Sequence, residues 1–226
     1  MSFIVKNTTK IHFLDLFCPF HCKKCGCLGS PLCECCKKDI IKLGAKKNRL
    51  KGFLDTNWLK EYKLPFQKSW ACGWRDEVVG QLAQDYKYHA TRTIGPILAE
   101  ILAETIPDIG ENVVVVPLPT IMKHVRERGF DHTLKVAQKL VKLRGWECQK
   151  ILRRVNNTVQ VGAAMVERRR QAEEAYEVIS KKIDKKQKYL LLDDVWTTGA
   201  SLCAAEKLLR NKGAKKIYAV VLAVSR

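Results

Sequence analysis

The stretch "KYLLLDDVWTTGAS", residues 188–201, constrains the fold more than any other part of the chain. Its apolar run shows no alternation, so both faces of the segment must be buried. That is the mark of a strand inside a parallel sheet covered on both sides by helices. Two carboxylates, Asp193 and Asp194, follow at once, then Thr197, Thr198, Gly199, Ala200 and Ser201. Leu202, Ala205, Leu208 and Leu209 then recur at helical spacing over 200–212. An acidic pair serves hydroxyl groups or a cation. A turn rich in glycine and hydroxyls at the start of a helix suits a phosphate, because its backbone N–H groups converge where the helix dipole favours an anion. A ribose 5-phosphate satisfies both halves: its vicinal hydroxyls donate to the carboxylates and its phosphate takes the turn.

The rest of the chain repeats this alternation. "NVVVVPLPT" (112–120) and "KIYAVVLAV" (216–224) are further apolar runs. Helical periodicity begins after Arg75, with Val78, Leu82 and Tyr86. It returns with Ile94, Ile97, Leu98, Ile101 and Leu102, ended by Pro107, and again over about 131–143. Strands and helices in alternation predict an open α/β sheet with helices on both faces, its ligand site beyond the carboxyl ends of the strands. No G-x-x-x-x-G-K-[ST] or G-x-G-x-x-G occurs, which argues against a P-loop or a dinucleotide fold. A receiver-type Mg²⁺ site would use the acid pair but leave the T-T-G run without a role.

Ten cysteines are present, and seven of them lie between Cys18 and Cys36. Two C-x-x-C knuckles, Cys22/Cys25 and Cys33/Cys36, flank a Gly/Pro loop and predict a tetrahedral Zn²⁺ site. Cys18, Cys27 and Cys35 stand close enough to substitute. Nearby lysines at 23, 24, 37 and 38 offset the charge of a tetrathiolate. Such a ribbon staples a segment too small to fold alone, and it also serves as a contact surface. The N-terminal stretch is interrupted by Lys6, Asn7, Lys10, His12 and Asp15, so a secretory leader and hence disulfides are not expected. No apolar run reaches the roughly 18 residues of a membrane span. A cytoplasmic protein is expected.

The net charge is +18. That excess favours a polyanionic partner, nucleic acid above all; a lysine-rich surface kept for solubility is the alternative. Between the cysteines and the first helix lies "NWLKEYKLPFQKSWACGW". There Trp58, Trp70 and Trp74 are interleaved with Lys60, Lys63 and Lys68, the mixture that single-stranded DNA binds. The same rings would equally form a small core beneath a solvated face.

The stretch 190–201 resembles the phosphoribosyl diphosphate (PRPP) loop of type I phosphoribosyltransferases. More of the chain resembles the ComF-type competence proteins, the ComFC/GntX group: the cysteines from 22 to 36, "DYKYH" (85–89), "VVPLP" (115–119), "RERGFDHT" (126–133), "ILRRVNNTVQVGAAMVERRRQAEEAYEV" (151–178) and the acid-pair stretch, in that order. The resemblance implies an N-terminal segment with a four-cysteine zinc ribbon (1–50), a basic and aromatic connector (51–74) and a phosphoribosyltransferase-like domain (75–226). It implies that Asp193 and Asp194 hold ribose hydroxyls, that Thr197, Thr198, Gly199, Ala200 and Ser201 hold the 5-phosphate, and that Leu118 to Thr120 face the diphosphate, with Mg²⁺. Lys87, Arg126, Arg128 and Arg168 are candidate anion contacts. The implied function is natural transformation: binding single-stranded DNA and a PRPP-type ligand, alongside DNA-uptake or recombination proteins on the cytosolic side of the inner membrane. The alternative is a transferase that passes phosphoribose from PRPP to a nitrogen acceptor.

Overall fold

The computed structural model describes residues 20–47, 64–89, 91–155, 175–180 and 182–225. In chain order the elements are α1 (Glu34–Lys47), β1 (Ser69–Ala71), α2 (Val78–Tyr88), α3 (Ile94–Thr105), β2 (Val113–Pro117), α4 (Met122–Arg128), α5 (His132–Arg144), β3 (Glu147–Cys148), β4 (Leu152–Arg154), β5 (Tyr176–Val178), β6 (Lys188–Trp196), α6 (Ala200–Asn211) and β7 (Lys216–Val224). Five strands form a parallel sheet in the order β1-β7-β6-β2-β3. β4 and β5 make a separate antiparallel pair.

The unbroken apolar strands bury both faces, as their sequence requires. Alternate side chains of β2 and β6 enter two different cores. Val113, Val115, Leu190 and Leu192 pack with α2, α3 and α5 through Leu82, Leu98, Leu102, Val136 and Leu140. Val114, Val116, Tyr189 and Leu191 pack on the other face with Leu202, Ala205 and Leu209 of α6 and with Ile151, Leu152 and Tyr176 of the β4–β5 region. The mixed α/β sheet with helices on both faces is therefore the architecture the sequence predicts.

Local signals set the helix ends. The Asp131 side chain caps α5 by accepting from the Leu134 N–H at 3.1 Å, and Gly145 closes that helix in the left-handed conformation. Gly129 ends α4 in the same way.

Three elements differ from the expectations. The segment after the knuckles is helical over α1. Ser69–Ala71, inside the stretch read as a connector, is an edge strand paired with β7. Trp70 in that strand is 2% exposed, with its ring stacked on Tyr218 at 5.9 Å. The strand β6 also runs four residues further than the apolar run, through both acids to Trp196, because β7 continues to pair with it.

Candidate ligand site at the carboxyl end of the central strands

The site follows from a difference in strand length. β2 pairs with β6 only as far as Pro117 and Leu192. Beyond that point Asp193, Val195 and Trp196 pair with β7 alone. β2 leads by way of α5 to β3 on one side, while β6 returns on the other side of β2, so the acids stand at the place where strand order reverses. That is where an open α/β sheet offers a crevice. A pocket of about 400 Å³ opens there. Its walls are Lys87 and Tyr88 of α2, the segment Leu118 to Ile121 after β2, Arg128, His132 and Thr133, Arg154 and Tyr176, and the acid pair with Thr197 and Ser201.

The two acids are not equivalent. The Asp194 carboxylate accepts from the Lys87 ammonium and from His132 Nε2 at 3.1 Å on the same oxygen, Oδ2. Its Oδ1 accepts from the Val195 N–H at 2.8 Å. Burial pushes the Asp194 carboxyl up, but the His132 hydrogen bond and the Lys87 charge outweigh it and hold the group well below the usual carboxylate range. Asp193 has the opposite balance: burial and the neighbouring Asp194 charge raise it well above that range. Lys87 is raised in turn, because Asp194 overcomes the effect of its burial. One acid is thus held as an anion beside its own counter-ion, and the other is pushed toward its neutral form.

His132 is held in one tautomer. Arg128 Nη1 lies 2.9 Å from His132 Nδ1, and a guanidinium only donates. Nδ1 is therefore the acceptor, so Nε2 carries the proton and donates to Asp194. His132 is 4% exposed and starts α5 immediately after the Asp131 cap. Sequence reasoning did not single it out; the signal was its place right after a capping residue in "RERGFDHT".

The other wall of the strand end is built by one turn. Gly199 adopts φ +72°, and a Cβ there would lie 2.2 Å from the Trp196 ring. Both the conformation and the space demand glycine. Thr197, Thr198, Gly199, Ala200 and Ser201 line a small recess shared with Asp193, at the N-terminus of α6. Leu118 and Thr120 line the main pocket, and Thr120 Oγ1 donates to Asp131 Oδ1 at 3.2 Å, which ties that loop to the start of α5.

Of the candidate anion contacts, Lys87 and Arg128 line the pocket, while Arg126 is exposed and does not. Arg168 lies outside the described residues, as do Cys18, Trp58, Lys60 and Lys63. Trp74 is partly buried and bridges Val224. Lys68 is exposed beside β1. The basic and aromatic face expected at the connector is thus overturned for Trp70, because a large ring beside an apolar sheet edge gains more by burial than by waiting in water.

A family model, the phosphoribosyl transferase domain, matches residues 87–226. The chain belongs to this family. The match spans Lys87, the acid pair and the hydroxyl-rich turn, the groups that meet around the pocket. No curated protein matches the chain.

Ahead of the phosphoribosyl transferase domain, the cysteines form a second cluster. The sulfurs of Cys22, Cys25, Cys27 and Cys33 all lie within 4.8 Å of one another. Cys36, expected in the ligand set, stands outside that group, where Cys27 takes its place, but its thiol is pushed up by burial and by its neighbours Cys33, Cys25 and Cys22. Five sulfurs therefore crowd around four tetrahedral positions. Cys25 Sγ and Cys33 Sγ are 3.7 Å apart. With Zn–S bonds of ~2.3 Å, the edge of a tetrahedron is ~3.8 Å, so the spacing suits Zn²⁺. The backbone supports the same use: the Cys33 N–H points at Cys22 Sγ at 3.4 Å, and Gly26 turns the first knuckle at φ +74°. The cluster fits a zinc ribbon, and it is anchored to the domain. Cys22, Leu32 and Cys36 enter the same core as α2 and α3, and Lys23 pairs with Asp85 at 2.8 Å. Among the described residues no helix is long and apolar enough to cross a membrane.

Proposed function

We propose that the protein is a ComF-type competence protein that binds a PRPP-type ligand at the acid pair and single-stranded DNA on its basic surface, aiding uptake or cytosolic handling of transforming DNA. The observation that carries the ligand half is the meeting of Asp193, the Thr197–Ser201 turn and Lys87 at one strand end. Asp193 takes ribose hydroxyls, while Asp194, fixed by Lys87 and His132, keeps the local field and the strand end in place. The turn takes the 5-phosphate, and Leu118 to Thr120 face the diphosphate. Mg²⁺, when bound with the ligand, neutralises the diphosphate. Zn²⁺ staples the N-terminal segment through four of the five clustered cysteines.

The division into an N-terminal segment (1–50), a connector (51–74) and a ligand-binding domain (75–226) belongs to this reading, with β1 contributed by the connector to the sheet. The DNA half rests on the net charge of +18 and on the order of motifs along the chain. A cytoplasmic location on the inner face of the membrane goes with it, beside uptake or recombination proteins.

A transferase is the second reading, favoured by Gln84, Tyr88 and His124 in the pocket wall. None of them is needed for ribose or phosphate, and all three are able to meet a nitrogen acceptor. There the departing diphosphate is stabilised by basic groups while the carboxylates support an oxocarbenium-like ribose.

Calorimetry with PRPP, with and without Mg²⁺ and single-stranded DNA, tests the ligand reading, and diphosphate release tests the transferase. Replacing Asp193 and Asp194 by Ala should weaken PRPP by about 3–6 kcal/mol. Unchanged affinity in a folded double variant would falsify the site. A deletion strain is expected to lose natural transformation and keep nucleotide salvage; normal transformation with a purine or pyrimidine auxotrophy would install the transferase reading instead.

A further inference from the structure

A second cleft, of about 610 Å³, lies between α2, α3 and α5 and shares no lining residue with the acid-pair pocket. Its walls carry Arg92, Lys135, Lys139 and Lys142, and no acidic side chain is among its lining residues. All four cations are exposed, and among the described residues none is ion-paired. Its floor is apolar: Tyr86 and Phe130, both buried, pack with ring centroids 5.2 Å apart.

We propose that this cleft is where the protein holds single-stranded DNA. The inference rests on the DNA reading proposed above and supplies its surface. Three observations select the ligand. Lys135, Lys139 and Lys142 recur at i, i+4 and i+7, so they share one face of α5 and spread over ~10 Å of its axis. That is too long for one compact phosphate and suits a line of them. The Arg92 guanidinium lies over the Phe130 ring, 5.8 Å from its centroid, and is itself exposed. A planar guanidinium supported on one face offers the other to an unstacked base. A duplex keeps its bases stacked inside and would meet only the lysines, so the Arg92 platform selects the single strand. Trp70, one of the rings expected at the connector, is spent in the core and adds nothing to that surface.

The test is fluorescence anisotropy with a labelled oligothymidylate on the full chain. The variants are Lys135→Ala with Lys139→Ala and Lys142→Ala; Arg92→Ala; and, as a charge-matched control, Lys186→Ala with Lys212→Ala and Lys215→Ala. Each single-strand phosphate contact contributes about 0.7 to the slope of log K against log salt, so the cleft triple variant should lose about a hundredfold in affinity at 0.1 M salt and flatten the slope by about 2. The control variant should bind like the wild type. Arg92→Ala should reduce the preference for single strand over an unlabelled duplex competitor. Equal losses in the cleft and control variants would show that only net charge matters and overturn the cleft while leaving DNA binding intact. Wild-type protein that does not bind at low salt overturns both the cleft and the DNA reading. Circular dichroism of the variants separates lost binding from lost fold, and if the triple variant is unfolded, Lys135→Gln with Lys139→Gln is measured in its place, with a fall of more than about tenfold at 0.1 M salt expected.

Discussion

The cysteine cluster and the acid pair both gather groups that repel one another when ionised, but they are completed differently. Around Cys22, Cys25, Cys27 and Cys33 the side-chain partners are other sulfurs. As thiolates they need a cation between them, and their spacing suits zinc. At the acid pair the cation belongs to the chain itself: Lys87 reaches Asp194 from α2. The first region depends on something bound from solution; the second is neutralised on folding and stands ready for a ligand. The difference teaches where each region will fail.

The largest effect should come from metal. One zinc per chain is expected on elemental analysis, and structural zinc contributes on the order of 10 kcal/mol to folding such a module. Chelation should therefore remove amide-exchange protection over residues 20–43 while β2, β6 and β7 stay protected. Equal loss across both regions would break the contrast, and the packing of Leu32 against the domain core would be the reason. Replacing Cys27 or Cys36 by Ser, one at a time, tells which of the two sulfurs takes the fourth position, since only one should lower zinc content.

Next is Trp70→Ala. Emptying a fully buried tryptophan site costs about 3–5 kcal/mol, read in urea unfolding, with no separate loss of DNA affinity in the folded protein. A stable variant with weakened DNA binding would restore the exposed reading of that ring.

Asp194→Asn should cost about 3 kcal/mol, because Lys87 then keeps a largely buried charge without its partner. Adding Lys87→Met should recover most of that stability and none of the ligand affinity. If the double variant is no more stable than the single, the ion pair is not what holds the strand end.

Asp193→Asn should act in the opposite direction, and less. The folded protein raises this carboxyl, so the cost to folding sets in as the pH rises above the ordinary carboxylate value and is complete once the pH exceeds the raised value. The variant should therefore be more stable than the wild type at neutral pH, and the gap should close as the pH falls through the ordinary carboxylate range. Asp194 has the reverse sign: its stabilisation is present above the ordinary range and is lost only in stronger acid. Thermal unfolding of both single variants across pH reads the two signs directly. Parallel curves would mean the two acids are equivalent after all.

Much of this was legible in the chain because it depends on neighbours in sequence. Apolar runs without alternation fixed β2, β6 and β7 as buried parallel strands, and four-residue spacing placed α2, α3, α5 and α6. Gly199 and its flanking hydroxyls announced a glycine-dependent turn at the start of α6, and the knuckle spacing announced a cysteine cluster able to hold a metal ion. Each rests on local period or local turn geometry, which a few residues specify.

Tertiary structure alone decided the rest. Lys87 stands 107 positions from Asp194, and His132 stands 62. Nothing local pairs them; the sheet order β1-β7-β6-β2-β3 does, by bringing α2 and the start of α5 to the end of β6. The same order gives β7 an outer neighbour, which turns Ser69–Ala71 into a strand and draws Trp70 inside. It also lets β7 outlast β2 beside β6, so that the two acids lie on a strand whose other edge is open. A sequence states which side chains are able to form a site. Which of them share a charge depends on contacts between distant segments, and those are fixed only when the strands have been ordered.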